Sequence, residues 1–346
     1  MAFRMHKMYA LLLLSIMVLS CEPIHIGIED QDNKEPVENP GNQDNPDTPG
    51  DSGNQDNPDK PGNPSSPAEN GSGETEGYKL VWEDLFNGSV LDESVWNIEV
   101  NGDGGGNNEL QYYRAENVSL GKEPGSGRGC LILTAKKEGF GGKSFTSGRI
   151  NSRNKKSFTY GKIESSIKLP TTANGLWPAF WMMGNDYDSV RWPKCGEIDI
   201  LEMGNAQGIS SGTQDRFFNG ACHWGYYKEV SPGNWAYPNY AKSSTWSYSL
   251  QDGEFHLFTL IWDNAAVKMY VDLDKYPSSS PYYEMGITSR EDDWGTGYYF
   301  NHDFFILFNL AVGGHFTGIF DPGAISALAS GEARMYVDYV KVYQKL

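Results

Sequence analysis

From residue 78 onward, apolar and polar side chains alternate in short runs. Leu131–Ala135, Lys162–Leu169, Phe255–Trp262, Val267–Val271, Phe304–Leu310 and Met335–Tyr343 show the pattern. In the last, Val337, Tyr339 and Lys341 alternate with Asp338, Val340 and Val342. A period of two sends successive side chains to opposite faces, so each run reads as a β-strand with one face toward a core. Clusters of Gly, Asn, Asp and Pro separate the runs and supply turns. No window sustains a helical period, although Ala324–Ser330 is expected to make one or two short helical turns. Many short strands predict an all-β fold, an antiparallel sandwich or jelly roll, in which a concave sheet face with loops at its rim supplies a cleft.

The pattern fails before residue 77. Residues 22–76 contain no Phe, Trp or Tyr but nine of the 18 prolines, and Gly41–Asp47 repeats as Gly53–Asp59. Such a segment cannot bury enough apolar surface to offset its ordering entropy, so it reads as a disordered Pro/Asn/Asp-rich tether. It also holds 14 Asp/Glu against Lys34 and Lys60, and so carries −12 of the net −17. A polyanion such as nucleic acid is excluded as a ligand by this acidity. The remaining 77–346 is expected to be one domain with a full core.

Residues 1–21 begin with Arg4 and Lys7 and continue as the apolar run Leu11–Leu19. That run is too short for a bilayer, which takes ~20 residues, and reads as a signal peptide. Its end, Val18-Leu19-Ser20-Cys21, resembles a bacterial lipobox. The resemblance implies cleavage before Cys21 and lipidation of its thiol; the alternative is an ordinary secretory signal. The protein is therefore expected at the bacterial cell envelope, anchored by lipid to the outer membrane or cell surface and touching the membrane through that anchor only. Cys130, Cys195 and Cys222 then remain, an odd number. A Cys195–Cys222 bridge and three small buried thiols are the two readings.

The segment that carries chemistry is Gly196-Glu197-Ile198-Asp199-Ile200-Leu201-Glu202. On a strand Glu197 and Asp199 share a face, and Glu202, three positions on, points the other way. One β-bulge near Ile200-Leu201 returns Glu202 to the shared face, leaving Ile198 and one bulge residue to face the core. Paired carboxylates are what glycoside hydrolysis uses, one as nucleophile and one to protonate the leaving oxygen. A third acid between them raises a neighbour's proton affinity or shares its proton. The competing readings are a solvated strand face or a cation site.

Glu197–Glu202 resembles the signature of glycoside hydrolase family 16 in its bulged, laminarinase-like form. Val81–Gly88, Asn107–Tyr113, Thr146–Ile150, Tyr160–Glu164, Gly175–Met182, Phe308–Gly314 and Tyr336–Val340 also resemble that family's motifs, in order, across nearly all of 78–346. The resemblance implies a β-jelly-roll and retaining, endo-acting cleavage of a β-linked polysaccharide by a monomer without a catalytic cofactor. It implies Glu197 as nucleophile, Glu202 as general acid/base and Asp199 as their electrostatic helper. Asn108 and Arg149 match cleft residues that bond sugar hydroxyls, and His223 matches a histidine beside the acids. Trp177, Trp181 and Trp192 are candidates for sugar stacking, with core packing as the alternative. A structural calcium is a further expectation, held by Asp338, the Gly129 carbonyl and Glu83 or its neighbours.

Two departures bear on the substrate. Many laminarinase-like relatives carry tryptophan just before Gly-Asn-Asn-Glu, where Gly104-Gly105 stand here. The stretch Ala206–Tyr248 is long and rich in aromatic residues, and long ordered loops tend to be functional. The expected substrate is β-1,3-glucan or mixed-linkage glucan. One alternative is endo-cleavage of β-galactosidic links in host mucin O-glycans, with Trp235 and Tyr240 building a wall; another is a non-catalytic glycan-binding lipoprotein.

Overall fold

The computed structural model describes residues 74, 75 and 77–346. The expected signal peptide, Cys21 and the rest of the expected tether lie outside the described residues. Glu74–Thr75, at the end of the segment read as a tether, pairs antiparallel with Tyr78 and Lys79. Among the described residues, no helix is long and apolar enough to cross a membrane.

Two large sheets form a β-sandwich. The first runs in the order Tyr283–Gly286, Ala266–Val271, His256–Trp262, Gly161–Lys168, Glu332–Lys345, Gly129–Lys136, Phe145–Ser147, Gln111–Tyr113. The second runs Asn239–Thr245, Phe217–His223, Glu197–Met203, Leu176–Gly184, Phe304–Val312, Arg149–Asn151, Asn97–Ile98. Pairing along both paths is antiparallel except between Gln111–Tyr113 and Phe145–Ser147. All six expected strands are present, with Leu169 and Phe255 falling one residue outside the observed ones. The expected helical turns at 324–330 reduce to a short 3-10 turn at Pro322–Ala324 and a hydrogen-bonded turn closed by Gly331 N–H donating to the Leu328 carbonyl.

The inner faces meet in one core. Ile163, Phe258, Leu260, Val340 and Val342 come from the first sheet; Phe180, Met182, Ile198, Ile306 and Phe308 come from the second. Phe180 stacks on Phe308 with centroids 4.8 Å apart, so Phe308→Ala should cost ~3–5 kcal/mol. The strand Leu176–Gly184 is buried on both faces. Its inward residues enter the core, while Ala179, Trp181 and Met183 point outward and join Cys195, Phe305 and Leu307 in a second apolar cluster. Tyr187, Val190 and Trp192 pack on that cluster and cover one end of the outer face, the face on which the expected cleft would lie. Pro178 is tolerated because pairing with Glu197–Met203 begins only at Ala179. Cys130, Cys195 and Cys222 are buried and free, which supports small buried thiols over a bridge.

Candidate active site

The outer face of the second sheet holds the three acids. The strand Glu197–Met203 contains the expected bulge: Trp181 faces Asp199 and Phe180 faces Leu201, so Ile200 is the extra residue. On the other side Ala221 faces Asp199 and Asn219 faces Glu202, with the same shift. Glu202 thereby returns to the face of Glu197 and Asp199. Both bulge residues, rather than one, enter the core: Ile200 and Leu201 are fully buried beside Ile198. The Tyr282 hydroxyl donates to the Ile200 carbonyl, which supplies the bulge backbone with a partner. Opposite it stands Gly220, where a Cβ would lie 2.8 Å from Met269 Sδ and 2.9 Å from Tyr282 Cε2.

Register places the outward side chains in rows. The first holds His223, Glu197, Met183 and Phe305. The second holds Ala221, Asp199, Trp181, Leu307 and Asn151. The third holds Asn219, Glu202, Ala179, Asn309 and Arg149. With strands ~4.8 Å apart, Arg149 stands ~14 Å across the sheet from Glu202, room enough for a sugar chain between them.

Each acid has distinct partners. The Trp177 indole N–H donates to Glu202 Oε1 at 3.1 Å, leaving its other oxygen for a proton. Asp199 is 4% exposed and its Oδ2 lacks a hydrogen-bond donor; His223 Nε2 lies 3.4 Å away. Burial first, and then Asp199, pushes the Glu197 carboxyl up to about 8. Burial likewise pushes Asp199 up to about 8, and lifts Glu202 well above the carboxylate range with added repulsion from Asp199. His223 and Arg149 favour the Glu197 anion, against burial and the Asp199 charge. The raised Glu202 carboxyl is suited to donate a proton, and Glu197 stands on the same face to attack.

The other expected substrate-site residues fall into four groups. Arg149 faces the groove, its Nε donating to Glu99 Oε1 at 2.9 Å, and Asn151 donates to the same oxygen at 2.8 Å. Glu99 and Asn309 belong to this polar bank and were missed in the sequence, where nothing distinguishes them from other polar strand residues. Trp177 and Trp181 are each 9% exposed. Trp177 stacks on Phe316 at 4.7 Å, while Trp181 donates to Asn309 at 2.7 Å and lies 4.9 Å from the Arg149 guanidinium. Both build the floor rather than offering a free ring face. Asn108 sits in the rim loop, 2.9 Å from His315 Nε2.

Trp192 and His223 form one end of the groove with two tyrosines. Tyr237 packs on Trp192 at 4.8 Å and on Tyr227 at 5.0 Å, and its hydroxyl lies 3.4 Å from His223 Nδ1. Tyr227 and Tyr237 flank the hairpin Lys228–Ser231/Asn234–Ala236. Trp235 is 60% exposed and Tyr240 packs toward Tyr283 at 5.2 Å, on the core side that its partner Cys222 shares. The groove wall therefore uses Tyr227 and Tyr237 in place of the expected Tyr240. At the rim, Gly105 has no room for a side chain: a Cβ would lie 2.8 Å from Glu109 Cδ. The Glu109 carboxylate, bonded by Gln111 and Tyr113, fills that space.

The expected calcium ligands are already engaged. Asp338 accepts from Arg128 at 2.8 Å, and Glu83 pairs with Lys341 at 3.5 Å. Calcium binding there would compete with both cations.

Comparison with known proteins agrees with this geometry. The family model "Glycosyl hydrolases family 16" matches residues 110–285, and that for "Beta-glucan synthesis-associated protein SKN1/KRE6/Sbg1" matches 5–188. The clotting factor G alpha subunit of Tachypleus tridentatus is 34% identical over 77% of this chain, which spans only 34% of that protein. The beta-glucanase of Rhodothermus marinus is 33% identical, covering 77% of this chain and 85% of its own length. Among solved structures, a Bacteroides ovatus mixed-linkage-glucan enzyme of family 16, bound to its G4G4G3G product, is 42% identical. It covers 76% of this chain and all of its own, with a TM-score of 0.65. A groove bearing three acids on a bulged strand, a β-sandwich and these matches lead to one statement: the chain is a glycoside hydrolase and belongs to glycosyl hydrolase family 16.

Proposed function

We propose that this chain is a retaining endo-β-glucanase that cuts internal bonds of mixed-linkage β-glucan, with β-1,3-glucan as a second substrate. The observation that carries the reading is the single face shared by Glu197, Asp199 and Glu202, with Trp177 holding one oxygen of Glu202. Glu197 attacks the anomeric carbon while Glu202 protonates the departing glycosidic oxygen. The glycosyl–Glu197 ester then yields to water, from which Glu202 removes the proton. General acid–base assistance supplies ~10²–10⁴-fold of the rate. Asp199, between the two glutamates, acts on both through its charge.

Mixed linkage is favoured because the solved structure described above is that of a mixed-linkage-glucan enzyme, and because Gly105 supplies no ring wall at the rim. The aromatic wall of Trp192, Tyr227 and Tyr237 supports a subsite at the Glu197 end, and also leaves host O-glycan as the second reading. A panel of barley-type mixed-linkage glucan, laminarin and mucin glycans separates them. Rapid cleavage of mixed-linkage glucan with inert mucin is expected; the reverse overturns the substrate reading. Glycan binding without hydrolysis of any of these would make the chain a binding protein.

The place of action belongs to the same proposal: a lipid on Cys21 holds a monomeric domain at the cell envelope. Its support is the lipobox-like Val18–Cys21 and the proline-rich 22–76. Cys21→Ser should release the protein from membranes; unlipidated wild type would contradict it.

A further inference from the structure

We propose that the catalytic face doubles as an inhibitory binding site for a divalent transition ion of the Zn²⁺ class, held by Glu197, Asp199 and His223. Each of these side chains offers one ligand atom, and the three atoms lie within 4.8 Å of one another. Among the described residues no other group of three or more Asp, Glu, His or Cys side chains meets that closeness. The set joins an imidazole nitrogen to carboxylate oxygens, a chemistry that suits zinc or copper and is poor for calcium or magnesium.

A second observation points to a ligand. Asp199 is 4% exposed, yet its Oδ2 has no hydrogen-bond donor. The neighbouring His223 Nε2 stands 3.4 Å from that oxygen. This separation is long for a hydrogen bond but matches the ~3.3–3.4 Å edge of a tetrahedron with zinc–ligand arms of ~2.0–2.1 Å. The other imidazole nitrogen faces the Tyr237 hydroxyl at 3.4 Å, so Nε2 is the nitrogen turned toward the acids. Three protein ligands leave one coordination position open toward the groove, as in zinc sites that exchange water. Because Glu197 is the proposed nucleophile, a bound ion and a bound glycan exclude one another.

The test combines kinetics with calorimetry on the intact chain, using zinc chloride. Inhibition should be competitive: at ten times its inhibition constant Zn²⁺ should raise apparent KM about elevenfold without changing kcat, by mass action. Chelation should restore full activity, and equal concentrations of Ca²⁺ or Mg²⁺ should have no effect. Calorimetric Zn²⁺ binding, which needs no turnover, should be lost in folded His223→Gln and Asp199→Asn and blocked by saturating oligosaccharide. Unchanged Zn²⁺ affinity in both variants, a purely noncompetitive pattern, or equal inhibition by Ca²⁺ would overturn the site. Since calorimetry requires no cleavable glycan, its result stands apart from the identity of the substrate.

Discussion

Tyr282→Phe is a one-atom probe of the bulge that aligns the acids. Tyr282 is 4% exposed, and its ring packs edge-on against Phe218 at 4.7 Å, a contact that phenylalanine keeps. What disappears is the hydroxyl that donates to the Ile200 carbonyl. A buried carbonyl left without a partner costs ~1–3 kcal/mol. For a domain of this size that is a fall in Tm of about 2–5 °C. The activity loss should exceed what stability explains, because relaxing the bulge moves Glu202, and a misplacement of ~1 Å costs as much as ~10²-fold. Tyr283→Phe is the control: its hydroxyl donates to the Tyr240 carbonyl at 3.1 Å, one residue away but not on the bulge. The assay is kcat on a soluble glucan beside thermal unfolding of both variants. Tyr282→Phe should lose kcat and Tm, Tyr283→Phe mainly Tm. Wild-type kcat in Tyr282→Phe, or equal kcat losses in the two, would refute the reasoning.

Trp177→Phe removes the donor that stabilises the Glu202 anion. The Glu202 proton should then be held more tightly, so the alkaline limb of the kcat–pH profile should move to higher pH while kcat falls; an unmoved limb would count against Glu202 as the acid. Away from the groove, burial opposes the charge on His256, but Asp272 at 2.8 Å and Asp252 at 3.1 Å raise its pKa above the ordinary value. Its stabilisation is therefore full below ~6.5 and lost as pH rises through the raised value. Asp272, held down to about 2 against the effect of burial by bonds from His256, Leu257 and Tyr248, stabilises above ~3.9 and ceases to as pH falls toward 2. His256→Gln should thus lower Tm most near pH 5 and least above pH 8; a pH-independent deficit would contradict the pair. Calcium should leave Tm unchanged in wild type and in Asp338→Ala, because Arg128 and Lys341 occupy the expected ligands; a calcium-dependent rise abolished by Asp338→Ala would restore that site.

The bulge was legible because parity is strict on a strand: Glu202 is an odd number of residues from Asp199, and only an inserted residue brings them to one face. The identity of the core-facing bulge residues was not, because it depends on Tyr282, some 80 residues later, reaching the Ile200 carbonyl. The groove wall failed for a similar reason. An aromatic-rich stretch does not declare which rings face outward until its register is known. Pairing of Tyr240 with Cys222 puts Tyr240 on the sheet face opposite the acids, where it stays 41% exposed, whereas Tyr237, two residues before that strand, meets Trp192. The missing rim tryptophan could be read directly, but not that the Glu109 carboxylate lies against Gly105.

The central claim is that Glu197 is the nucleophile of a retaining glucanase, and azide rescue tests it most directly. Glu197→Ala should lose turnover on mixed-linkage glucan, since the covalent route disappears. With an activated β-oligoglucoside, added azide should occupy the vacated space and attack the anomeric carbon, giving an α-glycosyl azide visible by NMR. Appearance of that inverted product is the result this account predicts. Near-wild-type hydrolysis by Glu197→Ala, or inactivity that azide never relieves while Glu202→Ala yields the α-azide instead, would contradict it.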